Sequence, residues 1–133
     1  MPFVLDASMT MSWCFADEST PYSRSVLAAL LDTYAEVPAL WPFEVANVLA
    51  INERRRRISV TVSEEFLQTL SGLDIRIDKA SPGVDGKALL PLVRSYGLTA
   101  YDAAYLELAR RKGLPLATFD KELIRAAPKK VSH

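Results

Sequence analysis

Leu98-Thr99-Ala100-Tyr101-Asp102-Ala103-Ala104-Tyr105-Leu106 opens a helix late in a chain of 133 residues. Thr99 is placed as its N-cap, helix-favouring residues run on to about Arg111, and Gly113 stops it. Asp102 shares a stripe with Tyr105, Leu106 and Ala109, while Glu107, Arg110 and Arg111 fall mostly on another face. A carboxylate at the head of an apolar stripe is expensive to bury without a partner. Two accounts of Asp102 stand side by side. In one it is a capping-box acid bonded to the backbone at the helix start. In the other its carboxylate faces a crevice and carries chemistry. The flanking chain bears on the choice.

Downstream, Leu114-Pro115-Leu116-Ala117-Thr118 reads as a short buried strand, and Asp120 opens a last helix over Lys121 to Ala126. Upstream lies a helix from about Gly86 to Tyr96, closed by Gly97, after a turn at Ser81-Pro82-Gly83. Leu73 to Asp78 alternates with period two, as an edge strand does, and Ser63 to Leu70 is helical behind a Thr61 or Ser63 cap. Phe43 to about Arg55 is a helix apolar nearly all round, which predicts burial, with Glu44 and Asn47 as its polar intrusions. Val37 to Trp41 is an extended segment, Thr20-Pro21 opens a helix, and Met9 to Phe15 is a short one. Phe3-Val4-Leu5 is the first strand, halted by Asp6-Ala7-Ser8. Strands alternating with helices predict an α/β fold with a parallel sheet and helices on both faces, as one domain over residues 1–133.

Half the residues are hydrophobic, and 16 Lys and Arg balance 16 Asp and Glu. Net charge therefore gives no general argument for a polyanionic partner; a nucleic-acid binder with this balance must segregate its charges. One cysteine, Cys14, excludes an intramolecular disulfide framework and suits a reducing compartment. The one histidine, His133, is terminal, so no Cys/His or Ser/His/Asp site has an imidazole. Neither a signal segment nor an 18-residue apolar run occurs, which predicts a cytoplasmic protein without a membrane partner.

Four acids occupy comparable places. Asp6 follows the first strand, Glu44 follows Leu40-Trp41, Asp102 starts the long helix, and Asp120 follows Leu116-Ala117-Thr118. Each has a local explanation as a cap or first-turn acid. Together they fall where ligands bind in an open parallel sheet, beyond the carboxyl ends of the strands. Clustered carboxylates repel unless a cation holds them, and hard oxygen donors without His or Cys favour Mg²⁺ or Mn²⁺ over zinc. Such an ion suits phosphoryl chemistry. Ser8, Asn47 and Thr118 lie beside the acids and can orient them or a bound water; Thr99 reads first as a cap. If the chain binds nucleic acid, Arg54, Arg55, Arg56 and Arg57 are the leading candidates for its phosphates, followed by Arg110, Arg111 and Lys112. Trp13, Tyr101 and Tyr105 are candidates for stacking bases, although Tyr105 on its apolar stripe reads first as core.

Four blocks then act together: Val4-Leu5-Asp6-Ala7-Ser8, Trp41-Pro42-Phe43-Glu44-Val45-Ala46-Asn47-Val48-Leu49, Leu98 through Ala109, and Leu116-Ala117-Thr118-Phe119-Asp120-Lys121-Glu122-Leu123. In order and spacing this set resembles the PIN-domain ribonucleases, and most of all the VapC-type toxins of bacterial toxin–antitoxin pairs. The resemblance covers essentially the whole chain. It implies a three-layer α/β/α sandwich with a mostly parallel central sheet, Mg²⁺- or Mn²⁺-dependent endoribonuclease activity, a cognate antitoxin protein and a homodimer. The family's acidic site maps onto Asp6, Glu44, Asp102 and Asp120, with Thr118 adjoining. Little chain follows the last helix, so a final strand is expected to be short. Competing readings are a PIN-like module that binds RNA or protein without cutting, a DNA-directed nuclease, and a Mg²⁺-binding receiver domain. The receiver needs paired acids after its first strand, and Asp6 has no acidic neighbour; an Asp-x-Asp phosphatase fails because residue 8 is serine.

Overall fold

The computed structural model describes residues 1–79 and 85–127. The elements run β1 (Phe3–Leu5), α1 (Ala7–Met11), a 3-10 turn (Ala16–Glu18), α2 (Pro21–Ala29), β2 (Ala35–Val37), α3 (Trp41–Arg54), α4 (Val60–Ser71), β3 (Ile75–Ile77), α5 (Gly86–Tyr96), α6 (Ala100–Lys112), β4 (Leu116–Ala117) and α7 (Lys121–Ala126). The expected turn at Ser81-Pro82-Gly83 and the tail from Pro128 lie outside the described residues.

All strand pairings are parallel, in the order β3-β2-β1-β4. Parallel neighbours need long crossovers, and the helices that make them cover the sheet in a three-layer α/β/α arrangement. The chain steps outward from β1 through β2 to β3, then returns to place β4 on the other side of β1. The strand order thus reverses between β1 and β4, and in open parallel sheets the crevice at such a reversal is the favoured ligand site. Both strands are wholly apolar and buried, as a two-sided sheet requires.

Several local expectations shift. The second strand is Ala35–Val37, earlier than the predicted Val37 to Trp41, because Pro38 ends it and α3 has started by Trp41. Glu36 hides this strand from a hydrophobic pattern; it is buried and paired with Lys112 Nζ at 2.8 Å. The first helix begins at Ala7 because the Asp6 carboxylate accepts the Met9 N–H, so it precedes the predicted Met9 to Phe15. Ser59, not Thr61 or Ser63, caps α4.

The largest departure concerns α3, which is not buried all round. Val45, Leu49 and Asn52 face the core, while Phe43, Ala46 and Asn47 are exposed. A central helix in a layered fold buries one stripe; apolar residues off that stripe stay at the surface. β3 takes the expected edge position but covers only Ile75–Ile77 of the expected Leu73 to Asp78, and its burial does not alternate, since Arg76 and Ile77 are both exposed.

A buried chain of hydrogen bonds joins α3 to β1. The Trp41 indole Nε1 donates to Thr10 Oγ1 at 3.0 Å, and Thr10 Oγ1 donates to the Asp6 carbonyl at 2.8 Å. Thr10→Val keeps the side-chain shape but leaves the indole N–H without its acceptor. The expected cost is about 1–3 kcal/mol, measured by urea unfolding.

Candidate active site

Asp6 ends β1 and caps α1, with only 4% of its surface exposed. Ser8 Oγ donates to both of its carboxylate oxygens, at 2.9 and 3.0 Å, and the Met9 N–H donates at 2.9 Å. Thr118 Oγ1, arriving from the end of β4, donates to Asp6 Oδ2. These bonds span the β1/β4 reversal. The site is tied further by the Phe119 N–H donating to Ser8 Oγ at 3.1 Å and the Asp120 N–H to Thr118 Oγ1 at 2.9 Å.

Burial pushes the Asp6 carboxyl up to about 6; the bonds from Thr118, Met9 and Ser8 pull the other way, and the Asp102 charge adds to the rise. Burial also raises Glu44, as does the Asp102 charge, against the lowering effect of a hydrogen bond from Tyr105. Asp102 itself is raised by burial and then by Asp120, with the Thr99 hydroxyl lowering it. Asp102 is therefore the acid that couples electrostatically to all three others. Among the described residues no lysine or arginine forms an ion pair with any of the four.

The opening ambiguity at Asp102 resolves in part. Thr99 does cap α6, accepting the Asp102 N–H at 3.1 Å. A reciprocal capping box of the kind Thr20 and Ser23 form on α2 does not form here; the Asp102 carboxylate meets the Thr99 hydroxyl and not the N-cap backbone N–H. Asp120 caps α7 through Oδ1 alone, accepting the Glu122 and Leu123 N–H groups at 2.8 and 3.2 Å.

Other candidates fall elsewhere. Asn47 is exposed and does not join the network around Asp6. Arg54 to Arg57 close α3, and Arg54 lies about 15 Å beyond Glu44 along the axis at the helical rise. Arg54 to Arg57 are all exposed, and Arg57 is engaged at Asn52 Oδ1 (3.0 Å) and Asp17 (3.2 Å) and stacks over Phe15. The basic end of α6 is likewise committed: Arg111 to Asp78 (2.6 Å) and Glu107 (2.9 Å), Lys112 to Glu36, and Arg110 over the Tyr96 ring. Tyr105 is 1% exposed and so cannot stack a base; Trp13 is half-buried with its indole on the Ser23 carbonyl, and Tyr101 is exposed.

One contact is not marked by the motifs: the hydroxyl of Tyr105 donates to Glu44 Oε1 at 2.5 Å. A signal was available, since a tyrosine on an apolar stripe needs a polar partner for its OH, where phenylalanine needs none. Tyr22 also borders the site: its phenol is raised by burial and by the Asp6 charge, and it packs edge-on to Phe119 with centroids 6.0 Å apart. No local pattern marks that pair.

Among the described residues, no three His, Cys, Asp or Glu side chains are gathered closely enough to form a metal cage. The donor set still fits a hard divalent cation. Mg²⁺ is commonly held by one or two carboxylates while it keeps several waters, and the acids here carry raised carboxyl groups without a neutralising cation.

A buried carboxylate at the strand-order reversal of a parallel sheet, with a second acid within electrostatic reach, defines a class of α/β protein with an acidic site suited to a hard cation. The sequence matches the PIN domain model over residues 3–129. The chain belongs to the PIN domain family, whose members are generally metal-dependent nucleases. Its fold is similar to the crystal structure of PAE2754 from Pyrobaculum aerophilum, with a TM-score of 0.72 at 20% identity over 98% of this chain and 91% of that one. No significant match is found among curated proteins. No helix among the described residues is long and apolar enough to cross a membrane.

Proposed function

We propose that this PIN-domain protein is a Mg²⁺- or Mn²⁺-dependent endoribonuclease acting as the toxin of a type II toxin–antitoxin pair in the cytoplasm. The observation that carries the nuclease reading is buried Asp6 at the β1/β4 reversal, coupled to Asp102, with no ion-paired cation beside either among the described residues. The toxin role, the antitoxin partner and the homodimer rest on the likeness of the four sequence blocks to VapC-type toxins.

Asp6 and Asp102, with Glu44, would hold the ion. When bound, a divalent ion there polarises a phosphate oxygen and makes water a competent nucleophile near neutral pH. Ser8, the Met9 N–H and Thr118 fix the Asp6 carboxylate in one orientation, so little reorganisation is left for the bound state. Asp120 spends Oδ1 on its helix cap, and its second oxygen is proposed to orient the attacking water. The exposed Arg54, Arg55 and Arg56 are proposed to hold phosphates of the RNA away from the cut, with Arg57 less available because of Asp17.

A non-cutting RNA- or protein-binding module is favoured by one observation, the lack of a preformed three-acid cage. Incubating the purified protein, free of any partner, with structured RNA in the presence and absence of Mg²⁺ or Mn²⁺ separates the readings. Metal-dependent cleavage is the expected result; RNA binding without cleavage under either metal supports the module instead.

A further inference from the structure

Tyr105 stands where a purely apolar residue would suffice for packing. It lies on the stripe of α6 that also carries Ala109, both essentially fully buried, and its ring belongs to the hydrophobic core. Its hydroxyl nevertheless leaves the apolar layer and meets Glu44 Oε1 at 2.5 Å, across 61 residues of sequence. A buried phenol must find a polar partner, and a carboxylate is the strongest acceptor available to it. The same hydroxyl lies within electrostatic reach of Asp6 and Asp102. It is thus a neutral donor placed among acids that have no cation paired with them among the described residues.

The bond also joins two separate supports. Glu44 sits in the first turn of α3, whose start is anchored by Trp41 to Thr10 and through it to the Asp6 carbonyl. Asp102 sits one turn before Tyr105 on α6. A rigid aromatic side chain with two rotatable bonds loses little entropy on being held, so it suits fixing a more flexible glutamate.

We propose that Tyr105 is a positioning residue: its hydroxyl holds the Glu44 carboxylate toward Asp6 and Asp102, so that the three act together on one divalent cation. The proposal rests on the metal-dependent reading of the site and adds a residue to it. Tyr105 touches neither substrate nor ion in this role; it acts through Glu44.

The test is a double-mutant cycle read by Mn²⁺ binding, with free Mn²⁺ followed by electron paramagnetic resonance and no RNA present. Tyr105→Phe retains the ring and its packing and removes only the hydroxyl; circular dichroism checks that the fold is kept. The expected result is a loss of about tenfold in Mn²⁺ affinity, the scale of one hydrogen bond to a charged group. In the Glu44→Ala background the same Tyr105→Phe change should have almost no effect, because the partner is gone. A merely structural role predicts the opposite, an equal loss in both backgrounds, and that outcome overturns the proposal. So does wild-type affinity in Tyr105→Phe. Failure of the wild-type protein to bind Mn²⁺, or binding indifferent to Asp6→Asn, overturns the metal-dependent reading and this proposal together. Wild-type binding that depends on Asp6 but not on the Tyr105 hydroxyl overturns this proposal alone.

Discussion

Asp102→Asn is expected to lower RNA cleavage by about 10²–10³-fold while leaving the fold intact, on the scale of removing one preorganised charge-stabilising group. The reasons are specific to its place. Asp102 raises both Asp6 and Glu44 and is itself raised by Asp120, so it is the electrostatic centre of the set. Its backbone N–H, not its carboxylate, satisfies the Thr99 cap, so asparagine keeps the helix start. The expected melting temperature is therefore within a few degrees of wild type, with activity near background. Single-turnover cleavage with saturating Mg²⁺ measures the rate, and thermal unfolding checks the fold. Full activity of the variant would remove Asp102 from the site. Lost activity with a collapsed fold would return it to a capping role.

Asp6→Asn should do something less intuitive and stabilise the metal-free protein at neutral pH. The carboxyl of Asp6 moves from 3.8 to about 6 on folding, because burial penalises the charged form more than its hydrogen bonds compensate. The folded state therefore holds this proton at pH values where the unfolded chain has released it. That contribution to stability is complete below 3.8 and disappears as the pH climbs through about 6. Above that window the ionised, buried carboxylate weighs against folding by about 3 kcal/mol, from 1.36 kcal/mol per pH unit. Asparagine is neutral throughout, so the variant should exceed wild type by about 2–3 kcal/mol at pH 8 in chelator and match it near pH 3.5. Urea unfolding of both proteins at the two pH values measures the difference. A variant weaker than wild type at pH 8 would mean that the ionised carboxylate is well solvated by Ser8, Thr118 and the Met9 N–H. Adding Mn²⁺ should reverse the order, because an ion that binds only the folded wild type stabilises it by mass action.

The two predictions describe one compromise. A site that gathers acids without cations is unstable by itself and gains from the ion it binds. Function at such a site is bought with stability, and the cost falls most heavily on the most buried acid.

Much of this was legible before any coordinates. Caps and periodicity are local, and they located α5, α6 and α7 closely: Gly97 and Gly113 close their helices in the left-handed region, and Thr99 and Asp120 cap as read. The same local signals place Asp6, Glu44, Asp102 and Asp120 at or near helix starts. Where burial overrides local pattern the reading slipped. Glu36 sits inside a buried strand because Lys112 comes to it from α6, and α3 exposes Phe43 because only one of its faces meets the core. Neither fact is written in the segment it concerns.

By itself, then, the sequence determined the alternation of strands and helices, the places of the caps and the acids that follow strands, all of which depend on neighbours within a few residues. Tertiary structure alone decided that β4 returns beside β1, which brings Thr118 onto Asp6, and that the Tyr105 hydroxyl meets Glu44. Strand order and the facing of helices depend on how apolar surfaces bury one another over long separations, and no short-range pattern carries that information.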